Sequence, residues 1–149
     1  MTRGPMRAPN PACGSIAPLA FLAALATQGF AATFTVNSTA DTPDANPGDG
    51  IAADASGNTT LRAAIEEANA SAGADTIELA SNTIYNVGTI GSAWYGPTAF
   101  AITSDITING NGSRIVRSGS TLFRAFYIAP GTTATPHGAA SGTHMATGT

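Results

Sequence analysis

Two periodicities divide the chain from residue 33 onward. Thr33-Phe34-Thr35-Val36 alternates polar and apolar positions and is rich in β-formers, which predicts a short strand. The same two-residue period returns in Asp75-Thr76-Ile77-Glu78-Leu79, Thr83-Ile84-Tyr85-Asn86-Val87 and Ile106-Thr107-Ile108, and Phe100 to Ile102 has β character. One stretch departs from it. Leu61, Ala64, Ile65 and Ala68 fall at i, i+3, i+4 and i+7, a single helical face. Thr60 is placed to cap the first turn, and Gly73 ends the pattern, so a helix is predicted over about 61–71. Its apolar stripe is narrow and alanine-rich, so it needs a surface to lie on.

The intervening segments are turn-rich. The loop from Asp41 to Gly50 carries two Pro and two Gly, which forbids regular structure. Asp41, Asp44, Asn46 and Asp49 supply hard oxygens of the kind Ca²⁺ takes. Their spacing is not that of an EF-hand loop, however, and Asp and Asn are ordinary turn residues, which is the preferred reading. The loop from Gly88 to Gly96 holds Trp94 and Tyr95, which either stack on a sugar or, as preferred, cover the core edge. Asn109-Gly110-Asn111-Gly112 lies between two strand-like runs and taken alone reads as a hairpin turn.

Composition narrows the class. Of 149 residues, 10% are charged, where about 25% is usual, and a low-charge mix of Ala, Thr, Ser, Asn and Gly suits turn-rich β-structure. The basic residues are all Arg, the formal charge is −3, and nucleic-acid binding through a Lys/Arg face is excluded. Arg3 and Arg7 precede an apolar run from Ile16 to Ala26, and Gly29 and Ala31 follow as small residues. That order predicts a secretory leader over residues 1–31, cleaved after Ala31. The run is too short to span a bilayer. Cys13 would leave with the leader, and the exported chain would hold no cysteine.

Thr59, Thr60, Leu61, Arg62, Ala63 and Ala64, followed by Ile65, Ala68 and Asn69, resemble the Cys-Ser-Leu-Arg-Glu-Ala motif of the CSLREA domain. The opening Thr33 to Asp41, the Gly48-Asp49-Gly50 loop, Ala74 to Leu79 and Ile106 to Gly112 extend the likeness over roughly residues 33–131. The resemblance implies a mostly-β fold: the start of a right-handed parallel β-helix, a solenoid with one N-terminal capping helix. It turns the Asn-Gly segment into a corner between coils and makes residues 32–131 the cap and first coils. The 20 residues from Ile106 to Phe126 would be one repeat, with the Gly88–Gly96 loop absorbing a longer one. Two departures stand out. The motif cysteine is Thr59 here, and its usual partner in the Gly50–Ser56 loop is also missing. Ala63 replaces the acid that would complete a capping box, at a cost of roughly 0.5–1 kcal/mol.

The chemistry is sparse. Beyond the helix the acids are Asp75, Glu78 and Asp105. Asp75 and Asp105 read as strand-start turn residues, and Glu78, between Ile77 and Leu79, points outward alone. Arg62 is expected to pair with Glu66 at i+4. Arg114, Arg117 and Arg124 would suit acidic sugars, but no base accompanies them, and no catalytic triad, phosphate loop or zinc spacing is present. Residues 132–149 carry His137 and His144, a weak metal pair, and show no strand period; a disordered tail is expected. The resemblance implies a non-catalytic, secreted or cell-surface interaction module. It would be a fragment of a longer adhesin-like protein, with carbohydrate or a surface ligand as partner. The alternative is the N-terminal part of a β-helix polysaccharide lyase or glycoside hydrolase.

Overall fold

The computed structural model describes residues 1, 4, 29–92, 96–138, 140–141 and 146–147. Most of the expected leader, together with Cys13, Trp94, Tyr95 and His144, lies outside them. A strand β1 (Thr33–Thr35) is followed by the helix α1 (Leu61–Ala70). Then come β2 (Asp75–Glu78), β3 (Ile84–Val87), β4 (Thr98–Ile102), β5 (Ile106–Asn109), β6 (Arg114–Arg117), β7 (Arg124–Ile128), β8 (Ala134–His137), β9 (Ala140–Ser141) and β10 (Ala146–Thr147).

The described residues are thus mostly strand with one short helix. The strands form three sheets, ordered β1-β2-β5-β8, β3-β6-β9 and β10-β7-β4. Every pairing within them is parallel. Parallel neighbours cannot be joined by a tight turn. Here the path from β2 to its neighbour β5 runs through β3 and β4, each of which enters another sheet. β5 and β6 flank the Asn-Gly segment without pairing, so that segment is a bend between sheets rather than a hairpin. Asn111 takes the left-handed φ of 49° there, which Asn tolerates.

In β1, β2, β3 and β5 alternate residues are buried, and core residues stack on their register partners. Phe34, Ile77 and Ile108 form one ladder, Tyr85 and Ile115 a second, and Phe100 and Phe126 a third. The Phe100 and Phe126 rings lie 5.3 Å apart and tilted, an arrangement favourable beyond area burial alone. Ile106 and Phe126 are not one repeat apart: they belong to different sheets, and Ile106 aligns instead with Asp75 and Ala134. Similar apolar pairs recur in strands of all three sheets, so sequence spacing alone chose the wrong partners.

The helix begins where its cap predicts. The Thr60 hydroxyl accepts from Ala63 N at 3.0 Å and donates to Thr42 O at 2.6 Å. At the other end Ser71, not Gly73, is the cap, with its N–H on Glu67 O at 2.9 Å. Leu61, Ala64, Ile65 and Ala68 are buried as expected, but so are Ala63, Arg62 and Glu67. The loop over residues 41–58 wraps the side that an isolated amphipathic helix would leave to water.

Residues 132–138 depart from the expected disordered tail. β8 pairs with β5 in register Ile106↔Ala134, and the Thr133 and His137 carbonyls accept from Ile106 N and Gly110 N. Backbone pairing forms this strand without a hydrophobic period, because β5 offers a straight row of partners. Among the described residues no helix is long and apolar enough to cross a membrane.

Candidate functional site

The densest set of polar side chains lies where α1 meets the first strands of the sheets. Arg62 is its hub, at 3% exposure. Its Nε and Nη2 reach Asp41 Oδ1 at 2.8 and 2.7 Å, Nη1 donates to Ala99 O at 2.8 Å, and Nη2 also donates to Thr89 O at 2.8 Å. The guanidinium sits 4.9 Å from the Phe100 ring centre, a cation–π contact. The expected partner Glu66 is turned elsewhere, toward Asp44 N at 2.8 Å. Asp41 wins because the loop before the helix brings its carboxylate back to the guanidinium fork. The second Asp41 oxygen accepts from Gly88 N and Thr89 N at 2.9 and 2.8 Å, so one ion pair ties the loop, the helix and the end of β3 together. Gly91 is required beside it: a Cβ there would lie 2.5 Å from the backbone Ala99 O and 2.6 Å from Arg62 Nη1.

Asn69, two turns further along α1, repeats the device. Its amide donates to Ala101 O at 2.7 Å and accepts from Thr103 N at 2.7 Å. Thr98 exchanges bonds with Ser92. The edge of β4 that does not pair with β7 is therefore met by Ser92, Arg62 and Asn69. Of the residues in the sequence motif, Arg62 and Asn69 fill a strand edge, Thr60 caps, and Leu61, Ala64, Ile65 and Ala68 pack into the core. Thr59 binds through its backbone, with N on Asn37 Oδ1 at 2.9 Å and O accepting from Asn37 N at 3.0 Å.

Glu67, which the sequence reading passed over, holds the loop from the other side. It is fully buried and accepts from Gly48 N at 2.5 Å and Gly50 N at 2.6 Å. Both glycines have left-handed φ, 98° and 86°, which aims two nearby N–H groups at one carboxylate. The flanking Gly48-Asp49-Gly50 pattern was the available signal. Asp54 closes the loop's far end by accepting from Thr42 Oγ1, Ser56 N and Asn58 N. The Thr42 hydroxyl first, then the Asn58 N–H, hold its carboxyl below the ordinary range, against the opposing effect of burial. Burial raises the Glu66 carboxyl, with the Asp44 N–H and the Arg62 charge opposing.

The four oxygen donors considered for Ca²⁺ all engage partners within this scaffold. Asp41 is committed to Arg62, Asp44 Oδ1 accepts from Asn46 N, and Asp49 accepts from Ile51 N and Asn46 Nδ2. Among the described residues no group of three or more His, Cys, Asp or Glu is placed to hold a metal ion. Glu78 is not alone: it accepts from Asn109 Nδ2 at 2.5 Å and Asn111 Nδ2 at 3.3 Å. Asp105 accepts from Thr133 N at 2.6 Å, and Asp75 from Ala32 N at 2.7 Å. Each of the nine Asp and Glu side chains thus takes at least one hydrogen bond from the chain itself. Beside Arg62 a shallow cleft of about 130 Å³ is lined by Ile65, Glu66, Asn69 and Phe100.

No protein-family model matches the chain, and neither a curated protein nor a solved structure does.

Proposed function

We propose that this chain forms the beginning of a right-handed parallel β-helix, closed at its first coil by α1. In this reading it is a non-catalytic, exported interaction module of a secreted or cell-surface protein. The observation that carries the reading is the strand order. Three strands in a row enter three parallel sheets, and the next three stack on them in register. A solenoid buries its apolar face only against neighbouring coils, so its first coil needs a cover. Arg62 and Asn69 supply that cover by bonding the β4 edge. The likeness of Thr59–Asn69 to the CSLREA motif agrees with it, as does the kinship with exported adhesin-like proteins that the likeness implies. The engagement of every Asp and Glu side chain with the chain's own donors favours scaffold over acid–base chemistry.

The competing reading is a polysaccharide lyase or glycoside hydrolase, whose reactions need paired carboxylates or a cation with a base in a groove. Incubating the exported chain with pectin, alginate and xylan, with and without Ca²⁺, separates the two. No release of reducing ends or unsaturated products is expected; turnover of any of them refutes the module reading.

A further inference from the structure

Asp75 opens β2 and is 1% exposed. One of its oxygens accepts from Ala32 N at 2.7 Å; the other is buried with no hydrogen-bond partner. A buried carboxylate satisfied on one side only carries a desolvation penalty. Its single donor comes from the residue that follows the expected leader. Gly29, Phe30 and Ala31 are exposed, Ala32 is half-buried against the core, and Ala32 O accepts from Thr76 N at 2.8 Å. The residues before the bond to be cut are exposed, while the nitrogen it would release is already seated on the acid.

We propose that leader removal completes this site: the new α-ammonium of Ala32 forms a buried ion pair with Asp75 that locks β1 onto β2. The inference rests on the export reading above. Hydrolysis breaks the bond between Ala31 C and Ala32 N. The oxygen of water goes to the Ala31 carboxylate, and its two hydrogens go to Ala32 N, which becomes –NH₃⁺. An amide with one N–H becomes a cation with three, enough to serve both Asp75 oxygens. The uncleaved chain leaves the acid half-satisfied, so the first sheet is held weakly until the leader is gone.

The chain has no Lys, so after cleavage its α-amine is its sole amine and can be acylated selectively. The chain secreted by an exporting host is purified, and its first residue is read by N-terminal sequencing and intact mass. It is then acetylated in urea, treated with hydroxylamine to reverse tyrosine esters, and refolded. The expected result is a first residue Ala32 and a Tm about 5–10 °C lower after acetylation. In Asp75→Asn the acetylated and free chains should melt together. The native α-amine should also react at least about tenfold more slowly than in urea, which needs no variant to fold. A first residue other than Ala32 overturns the cleavage reading, and the ion pair with it. A chain that begins at Ala32 but melts unchanged on acetylation, with an amine as reactive as in urea, overturns the ion pair alone.

Discussion

Replacing Arg62 by Ala tests whether the helix holds the first strands through one side chain. The substitution leaves Asp41 Oδ1 without its cation and leaves the Ala99 and Thr89 carbonyls without a donor. Removing one member of a buried pair costs about 3–5 kcal/mol, because the other charge stays behind. Asp41 is 14% exposed and keeps its bonds from Gly88 and Thr89, which pulls the figure toward the lower end. Loss of the contact with Phe100 adds roughly 0.5–2 kcal/mol. A destabilisation of about 3.5–5 kcal/mol follows, or a Tm lower by roughly 10–15 °C for a chain of this length. Urea unfolding followed by circular dichroism measures it, with the m-value unchanged if the transition remains two-state. Arg62→Lys should recover part of the loss, since one ammonium cannot span Asp41 and two carbonyls in the guanidinium geometry. In a double-mutant cycle with Asp41→Ala the two losses should be far from additive. A loss under about 1 kcal/mol, or strict additivity with Asp41→Ala, refutes the hub.

Asn69→Ala removes the bonds to Ala101 O and Thr103 N and should cost about 1–3 kcal/mol in the same unfolding assay. Glu67→Gln keeps the shape but loses the charge that both loop glycines address; a loss of about 2–3 kcal/mol and faster proteolysis within residues 41–58 are expected. Asp54 has its carboxyl lowered in the fold, so its contribution is complete above the ordinary value of 3.8 and fades as pH falls through the folded value. The Tm gap between the native chain and Asp54→Asn should therefore be widest near neutral pH and close in strong acid. Glu66 has the opposite sign. Burial raises it, so its ionised form weakens the fold above the folded value, and the penalty disappears as pH falls below the ordinary 4.5. Glu66→Gln should raise the Tm at pH 7 and leave it unchanged well below pH 4.5.

Local features were the legible ones. Alternating stretches located β1, β2, β3 and β5 to within a residue or two, and Thr60 marked the start of α1, because both signals act between near neighbours. Partner choice was not legible. Parallel strands pair across a whole round of the chain, so Ile106 resembled Phe126 in spacing while stacking with neither its sheet nor its ladder. β8 was missed because Ala134-Thr135-Pro136-His137 has no apolar rhythm; its order comes from the edge β5 presents. At the site, the nearest acid in sequence to Arg62 was the wrong partner, and Asp41, 21 positions back, was the right one. Glu67 carried no signal of its own, since nothing in the helix itself tells that a glycine loop folds over it.

The filling of one edge of β4 also bears on assembly. Fibres of stacked sheets grow when each copy offers two receptive edges, one to give and one to receive. Arg62 and Asn69, seven residues apart on one helix face, occupy the backbone groups that a foreign strand would need on the β4 side. In the sheet β10-β7-β4 a second copy therefore finds no free backbone row on the β4 side. The motif that closes the fold thereby also blocks strand addition along the edge of β4.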